Sequence, residues 1–238
     1  MKNLYDFYFQ SHFQRLNNLS EQGYDRSARY YRSYYENLLP RDKQSAILDA
    51  GCGLGQFIHF LQKEGYTNYY GIDLASDHVA ICKRRGYPVE IADIFEFLQN
   101  KKQTFDLVAA NDVLEHIPKT RTMEFLAVIF HALKDNGTIL LKVPNMSNPF
   151  GLMDRYQDFT HEVGFTEFSL SEVLAMAGFK DIQIKGAAYP VISLQSAIGK
   201  IAEQSLYAML RFLFHMQGHA VPRIMDKDLI GKAIKKQL

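Results

Sequence analysis

Three closely spaced glycines are the first feature of this sequence that could serve chemistry. The stretch ILDAGCGLGQF places Gly51, Gly53 and Gly55 directly after a buried-strand pattern that carries Asp49 near its end. Glycines let the backbone turn sharply and approach a ligand, and the helix predicted from Gln56 offers unpaired N–H groups. A tight turn without any ligand uses the same residues, so the pattern alone is weak evidence. Acidic and polar residues further along the chain strengthen the case for a ligand at this turn.

A second acidic residue ends the next apolar run, YYGIDLA. Asp73 stands 22 residues beyond Gly51 and is followed by Leu74, at a position where a carboxylate can accept both hydrogen bonds of a ribose diol. Asp49 separates two nucleotide classes, because a carboxylate beside the glycine turn repels a pyrophosphate but suits a ligand with an ammonium and a sulfonium. The spacing GxGxG, in place of GxGxxG, points the same way. S-adenosylmethionine is such a ligand.

Two further apolar runs also end in polar side chains. In ADIFEF, Asp93 is placed to accept a hydrogen bond from an adenine amino group, and Ile94 to flank the ring. In FDLVAANDVLEHIP, Asn111 and Asp112 reach the mouth of the predicted sheet with Val113 beneath them. Because ligands of open α/β sheets bind at the carboxyl ends of strands, four such ends in succession predict one cofactor cleft.

The elements that must position these residues alternate in type. From Ser45 onward, short apolar runs alternate with amphipathic stretches, which predicts five strands joined by helices, with parallel pairing and right-handed crossovers. The segments DIQIK and DKDLIGKAIKK predict two more strands, the last of them antiparallel at the sheet edge. We therefore predict an α/β fold with a doubly wound, mostly parallel, seven-stranded sheet.

Segments outside this alternation complete the predicted organisation. Residues 1–44 are expected to form a helical N-terminal cap, and residues 45–238 the catalytic domain, with an acceptor-side loop at 145–168. A helical insertion is predicted at about 193–217, chiefly as core packing, with a membrane interface, a dimer seam or a cover over the acceptor pocket as alternatives. Two roles are open for five residues of the cap: they pack against the fold, or they form a lid over the cleft or bind the acceptor. These residues are His12, Arg26, Arg29, Tyr30 and Tyr34.

The ordered set ILDAGCGLG, YYGIDLA, ADIFEF, FDLVAANDVLEHIP and LKDNGTILLKVPN resembles the motif series of class I S-adenosylmethionine-dependent methyltransferases, over residues 45–145. This resemblance implies a Rossmann-like methyltransferase fold, S-adenosylmethionine as cofactor and S-adenosylhomocysteine as product. It implies that Asn111 lies near the transferable methyl group. The residues that the resemblance places against the cofactor are Asp49, Gly51, Cys52, Gly53, Gly55, Gln56, Asp73, Leu74, Asp93, Ile94, Asn111 and Val113.

The stretch DFTHEVGF offers one set of residues for the chemistry of transfer. His161 is a candidate general base that takes the proton of an acceptor hydroxyl, with Asp158 or Glu162 to orient it. The alternative is that His161 only hydrogen-bonds the loop. This stretch resembles the corresponding segment of bacterial methyltransferases of polysaccharide and lipopolysaccharide modification, which implies O-methylation of a sugar hydroxyl.

A second set of candidate residues lies just after the fourth predicted strand. Asp112, Glu115 and His116 fall within five residues, and ubiquinone-biosynthesis O-methyltransferases have a similar acidic-x-x-Glu-His arrangement that binds a divalent metal. Such a metal lowers the pKa of an acceptor hydroxyl. In metal-free members of the class, the Glu and His of LEHIP support the loop. Metal-dependent methylation of a quinone-type phenol is thus the alternative to sugar O-methylation.

Composition narrows the range of partners. With 27 Lys and Arg against 26 Asp and Glu, no global field attracts nucleic acid, which disfavours tRNA as a substrate. Cys52 and Cys82 show neither zinc nor disulfide spacing, and the polar-interrupted N-terminus resembles no export signal, so a cytoplasmic enzyme is expected. No transmembrane segment is expected; peripheral membrane contact, a homodimer, a protein side chain as acceptor and a cofactor-binding module without turnover stay open.

Overall fold

The computed structural model of this chain describes residues 19–187, 191 and 193–236. Within them, the strands are β1 Ile47–Ala50, β2 Tyr69–Asp73, β3 Val89–Ile91, β4 Phe105–Asn111, β5 Leu133–Pro144, β6 Lys180–Gly186 and β7 Asp228–Ile234. The α-helices are α1 Glu21–Tyr35, α2 Gln56–Lys63, α3 Ser76–Arg84, α4 Ile94–Gln99, α5 Thr122–Ala132, α6 Gly151–Gln157, α7 Glu167–Met176 and α8 Leu194–Met216. Two 3₁₀ turns, Leu114–His116 and Lys119–Arg121, connect β4 to α5.

The strands form one sheet in the order β3-β2-β1-β4-β5-β7-β6. The first five are parallel, and β7 runs antiparallel to both of its neighbours. This confirms the predicted seven-stranded, mostly parallel α/β sheet. The prediction that the last strand lies at the edge is wrong, because β7 pairs with β5 on one side and with β6 on the other. The strand at that edge is β6.

Helices cover both faces of the sheet, and the central strands are accordingly buried on both sides. In β4, Val108 belongs to the same apolar cluster as Phe125 of α5. Its neighbours Leu107 and Ala109 belong to the opposite cluster, together with Phe57 of α2. Because successive strand residues point to opposite faces, this continuous apolar run serves both layers at once.

Helix α1 packs against α2 at the N-terminal side of the fold. Ser20 caps α1 by accepting a hydrogen bond from the Gly23 N–H at 3.2 Å. Arg32 of α1 forms an ion pair with Glu64 just after α2. Residues 1–18, which include His12, lie outside the described residues, and the domain division at residue 44 stays a prediction.

The segment predicted as an acceptor-side loop contains a short helix, α6, that periodicity alone does not indicate. Helix α7 begins at Glu167. A capping box fixes this start: the Ser169 N–H donates to Thr166 Oγ1 at 3.3 Å, and Ser169 Oγ accepts from the Thr166 N–H at 2.9 Å.

Helix α8 confirms the predicted helical insertion before the last strand, but the prediction of core packing is wrong. Tyr207 is its one buried residue. The outer face exposes apolar side chains along the whole helix: Leu194, Ile198, Ile201, Met209, Phe212, Leu213 and Met216. The membrane, dimer and cover alternatives stay predictions. Among the described helices, none combines the length and apolarity that a membrane crossing requires.

Candidate active site

A cleft of about 470 Å³ opens where the carboxyl ends of β1, β2, β3 and β4 meet. It lies where the strand order reverses, between β1 and β4, which is the usual ligand position in a doubly wound sheet. The predicted cofactor residues that line the cleft are Asp49, Gly51, Cys52, Gly53, Gln56, Asp73, Leu74, Asp93, Ile94, Asn111 and Val113. Strand ends far apart in sequence therefore share one cavity.

The glycine turn after β1 requires glycine for two different reasons. Gly51 adopts φ +79°, and an added methyl group there would overlap the Val113 side chain on the neighbouring strand end. Gly55 does not line the cleft, which corrects the expectation that it faces the ligand. A Cβ at Gly55 would lie 2.8 Å from the Tyr87 ring and 2.9 Å from Cys82 Sγ, so close helix packing demands this glycine.

Asp49 carries a buried carboxylate at the end of β1. Its side chain is 1% exposed, and neither carboxylate oxygen hydrogen-bonds to any described residue. Burial, and then the nearby charge of Asp73, raise the pKa of Asp49 to about 8. A carboxylate held in this state is stabilised by an incoming cation, so this end of the cleft suits a positively charged group.

Asp73, at the end of β2, is oriented by backbone donors. Its Oδ2 accepts from the Gly53 N–H and its Oδ1 from the Ala75 N–H, both at 2.8 Å. The His78 ring approaches Oδ1 at 3.2 Å. Carboxylate oxygens accept more than one hydrogen bond, so an oriented Asp73 that still lines the cleft is able to receive two ligand hydroxyls.

Asp93 caps α4 and also faces the cleft. Its Oδ1 accepts from the Phe95 N–H at 2.8 Å and from the Glu96 N–H at 3.3 Å. The Phe95 ring lines the cleft beside it and lies 3.6 Å beneath the Arg121 guanidinium. Asp93 thus has two roles: it offers a hydrogen-bond acceptor to the cleft, and it caps the helix that carries the Phe95 ring.

Two tyrosines of α1 belong to the site, and sequence reasoning missed both. The Tyr35 hydroxyl donates a hydrogen bond to Asn111 Oδ1 at the end of β4, and Tyr31 lines the cleft. The residues predicted as a lid, Arg26, Arg29, Tyr30 and Tyr34, are absent from the lining. Aromatic residues at helical spacing did signal this face, but not which of them turn inward.

An ion-paired cluster around a nearly buried lysine was not predicted from the sequence. Lys142 of β5 is 12% exposed; it forms an ion pair with Asp112, and its Nζ lies 3.8 Å from Asp228 Oδ2. Asp112 adopts φ +55°, a left-handed conformation that aims its side chain across at β5. The antiparallel register of β5 and β7 brings Asp228 opposite Pro144, beside this lysine. A lone lysine within the apolar run TILLKVP was the available signal.

His161 lines the acceptor side of the cleft and is oriented by a backbone group. Its Nδ1 lies 3.0 Å from the Asp154 carbonyl oxygen. Because a carbonyl oxygen only accepts, Nδ1 carries the proton of the neutral ring, and Nε2 is left as the acceptor nitrogen. Nε2 lies 3.9 Å from Asp158 Oδ2, beyond hydrogen-bond distance.

The two carboxylates predicted to orient His161 have other surroundings. Asp158 lines the cleft, but its Oδ1 accepts from Thr160, at 2.9 Å from the N–H and 2.7 Å from the hydroxyl. Glu162 is exposed and absent from the lining, which corrects its predicted role. The Glu162 backbone N–H instead donates to the Glu115 carbonyl oxygen at 2.7 Å and so ties the loop to the 3₁₀ turn.

A group in the cleft that could hold a metal ion differs in one member from the predicted set. Ligand atoms of Glu115, His116 and His161 lie within 4.8 Å of one another, whereas Asp112 pairs with Lys142. The Glu115 carboxylate is buried without a hydrogen bond to any described residue, and burial, then Asp112, raise its pKa well above the usual range. One carboxylate and two imidazoles are ligands that a divalent transition metal accepts, so these residues fit such an ion.

Comparison with known proteins gives matches to methyltransferases. A family model described as a methyltransferase domain matches residues 23–184. Among solved structures, a SAM-dependent methyltransferase from Archaeoglobus fulgidus superposes with a TM-score of 0.69 at 22% identity, covering 97% of this chain and 100% of that one. That likeness concerns the fold.

Two sequence relatives act on different atoms, as their names state. The chain is 25% identical over 181 residues to phosphoethanolamine N-methyltransferase 2 of Caenorhabditis elegans, a match to 71% of this chain and 39% of that protein. It is 30% identical over 108 residues to the mitochondrial ubiquinone biosynthesis O-methyltransferase of Homo sapiens, a match to 42% of this chain and 28% of that protein. The chain therefore spans less than two thirds of the length of either relative.

Proposed function

Because the chain belongs to the class I S-adenosylmethionine-dependent methyltransferases, we propose that it methylates a hydroxyl group of a sugar, a glycan or a related small acceptor. S-adenosylmethionine is the methyl donor and S-adenosylhomocysteine the product. The acceptor atom and the roles of individual residues are the parts that we propose.

The cofactor half of the cleft is assigned residue by residue. Asp49 meets the ammonium and sulfonium end of the donor, Asp73 accepts the two ribose hydroxyls, and Asp93 accepts the adenine amino group. The geometry that supports this assignment is the shared cavity, in which all three carboxylates lie at strand ends. Asn111, held by Tyr35, lies at the boundary with the acceptor half, near the methyl group.

His161 is the proposed general base. In the transfer, a bond forms between the acceptor oxygen and the methyl carbon while the carbon–sulfur bond breaks, and the hydroxyl proton passes to His161 Nε2. The observation that carries this proposal is the contact between Nδ1 and the Asp154 carbonyl, which leaves Nε2 as the accepting nitrogen. The donor is already activated, so alignment of oxygen and methyl in a cleft that excludes water supplies much of the rate.

The lining of the acceptor half supports a polyhydroxylated acceptor. Apart from His161, this half is lined by side chains that can form hydrogen bonds with hydroxyl groups of an acceptor, including Asp154, Gln157, Asp158 and Asp228. Carboxylates accept hydrogen bonds from hydroxyls, and a glutamine amide both donates and accepts. A sugar ring presents several hydroxyls at once, which this arrangement can bind together.

The experiment that tests the proposal uses the protein with isotopically labelled S-adenosylmethionine and fractionated cell extract. Tandem mass spectrometry of the labelled product identifies the methylated atom. A methyl ether on a sugar oxygen supports the proposal, and label on nitrogen, carbon or a phenol contradicts it. Retained cofactor binding with no transfer to any fraction favours a cofactor-binding module without turnover.

A second candidate function is metal-assisted methylation of a quinone-type phenol. The observation that favours it is the cluster of Glu115, His116 and His161 around one point. A divalent ion held there would supply a Lewis acid for the acceptor oxygen, and His161 would then be a ligand and not the base. The same extract assay with a chelator separates the two: activity that survives metal removal supports His161 as base.

A further inference from the structure

The acceptor half of the cleft is rich in carboxylates. Five carboxylate side chains line it, from Asp112, Glu115, Asp154, Asp158 and Asp228, against two lysines, Lys142 and Lys227. Within a cavity walled by protein, such a group of like charges interacts more strongly than it would in water. The local field in this half of the cleft is therefore negative.

Both lysines are already paired with carboxylates of the same cleft. Lys142 forms an ion pair with Asp112 and approaches Asp228 at 3.8 Å, and Lys227 Nζ lies 3.6 Å from Asp154 Oδ1. Among the described residues that line the cleft there is no arginine. Phosphate groups are recognised in proteins by arginine, lysine and backbone N–H groups that are available to them. Among the described residues of this half, a phosphate would find no lysine or arginine that lacks an ion-pair partner.

Glu115 is the carboxylate in this group that has neither a hydrogen bond nor an ion pair with a described residue. It is 2% exposed, and neither of its oxygens hydrogen-bonds to a described residue. A buried ionised carboxylate is costly unless a cation or several donors meet it. The neighbouring Lys142 already faces two aspartates, Asp112 just after β4 and Asp228 at the start of β7. A positively charged group on a molecule that enters the cleft would therefore favour the ionised form of Glu115.

We propose that the acceptor carries a protonated amine, which Glu115 and Asp228 receive, and that acceptors bearing a phosphate are rejected. This rests on the proposed function, which it deepens: the acceptor class becomes an amino sugar or a similar amino polyol. The amine is a binding group, and the hydroxyl near His161 is the methylated one. The C. elegans relative is named for phosphoethanolamine, so rejection of phosphate-bearing acceptors would distinguish this chain from that relative.

The binding test uses three matched probes and the protein saturated with S-adenosylhomocysteine, which allows no turnover. Ethanolamine carries the amine alone, ethylene glycol carries neither charge, and phosphoethanolamine carries amine and phosphate. Dissociation constants come from ligand-observed nuclear magnetic resonance at neutral pH. We expect ethanolamine to bind about tenfold more tightly than either other probe, the difference that one modest ion pair makes. Equal affinities, tighter phosphoethanolamine binding, or no binding by any probe overturns the proposal.

Variants then locate the effect. Glu115→Gln should remove the preference for ethanolamine over ethylene glycol and leave the affinity for S-adenosylhomocysteine unchanged, which also reports that the variant is folded. Glu172→Gln, the same change at an exposed residue of α7 outside the cleft, should keep the preference. Asp228→Asn takes one carboxylate from Lys142 and should raise phosphoethanolamine binding severalfold. A preference unchanged in both cleft variants overturns the assignment.

A last measurement distinguishes failure of this inference from failure of the proposed function. The labelled product from extract is applied to a cation exchanger with and without phosphatase treatment, and its methylated atom is identified. A retained, phosphatase-insensitive product with an O-methyl group supports both. A retained product methylated on nitrogen leaves the charge inference standing and removes the hydroxyl proposal. A neutral or phosphorylated O-methyl product supports the hydroxyl proposal and overturns the charge inference.

Added Zn²⁺ or Mg²⁺ tests the competing occupant of the same carboxylate. Binding of the ion alone is followed by calorimetry, because a metal at Glu115, His116 and His161 would occupy the position of the amine. Absence of metal binding together with the ethanolamine preference supports the proposal. Tight metal binding that Glu115→Gln abolishes overturns it.

Discussion

The two halves of the cleft are built in different ways. In the cofactor half, each functional side chain lies at or next to the end of its own strand: Asp49 is the next-to-last residue of β1, Asp73 ends β2 and Asn111 ends β4. In the acceptor half, the side chains come from the segment after β4, from β5, from α6 and the loop after it, and from β7. They meet through tertiary contacts such as the one between Lys142 and Asp228. A parallel sheet places strand ends together as a rule of its topology, whereas the acceptor half depends on particular loop conformations and on register.

This difference predicts a separation of effects: changes in one half alter cofactor affinity and changes in the other alter turnover. His161→Ala should give the largest effect, a fall in kcat of about a hundredfold to ten-thousandfold, because a positioned general base contributes that much. Cofactor affinity should stay nearly constant. Single-turnover rates and calorimetry measure the two quantities.

His131→Ala provides the matched control for that variant, because His131 is exposed at the end of α5 and absent from the cleft lining. Its turnover should equal that of the parent protein. Unchanged turnover in His161→Ala would reject His161 as the base. It would also contradict the predicted separation between effects on cofactor affinity and effects on turnover.

Asp73→Ala should produce the complementary effect on the cofactor side. It removes the two proposed charge-assisted hydrogen bonds to the ribose. It also removes the acceptor that orients the Gly53 and Ala75 backbone, so the dissociation constant should rise about a hundredfold or more. Calorimetry with S-adenosylhomocysteine measures this change. Asp77→Ala, at an exposed neighbour in α3, should change the constant less than twofold. Similar constants for the two variants would contradict the role of Asp73.

Cofactor affinity should also depend on pH through Asp49. The pKa of this carboxyl is raised to about 8 in the free protein, so it is mostly protonated at pH 7, and a bound cation favours the ionised form. Binding therefore releases a proton, and the dissociation constant should fall by up to about tenfold per unit as pH rises toward 8, then level off. Calorimetry in buffers of different ionisation enthalpy counts the proton. A pH profile that Asp49→Asn leaves unaltered would contradict this.

The smallest effect is expected at the junction of the halves. Tyr35→Phe deletes the donor to Asn111 Oδ1 and leaves that buried oxygen unsatisfied, which costs about 1 to 3 kcal/mol of unfolding free energy. Thermal unfolding should shift downward by about 2 to 4 °C per kcal/mol for a chain of this size. Tyr156→Phe, at an exposed tyrosine of α6, should leave the midpoint unchanged. Equal midpoints for the two variants would show that the contact does not stabilise the junction.

The same difference explains what the sequence predicted. Glycine spacing and an acid after each apolar run are local signals, so eleven of the twelve predicted cofactor residues are found in the cleft lining. The prediction for Gly55 was wrong because the local pattern does not distinguish a ligand-facing glycine from one that lets Tyr87 and Cys82 pack closely.

On the acceptor side the signals were not local. The group that orients His161 is the backbone carbonyl of Asp154, and a backbone atom has no signature in a sequence. The partner of Lys142 from β7 follows from an antiparallel register that places Asp228 opposite Pro144, 84 residues away in the chain. The strand was predicted but its position between β5 and β6 was not, because alternation reports which residues form a strand and not which strands are neighbours.

The central position of β7 has a consequence for how the protein is made. Residues 228–234 are inserted between two strands that precede them in the chain. Among the described strands, β6 therefore has no hydrogen-bonded neighbour until β7 has emerged from the ribosome. Such non-local pairing is slow, and an unpaired β6 edge is open to association with other chains in the meantime. Folding of the sheet is thus completed after translation of the final strand, and a nascent chain that stops before residue 228 lacks both the acceptor-side carboxylate and the strand that joins β6 to the sheet.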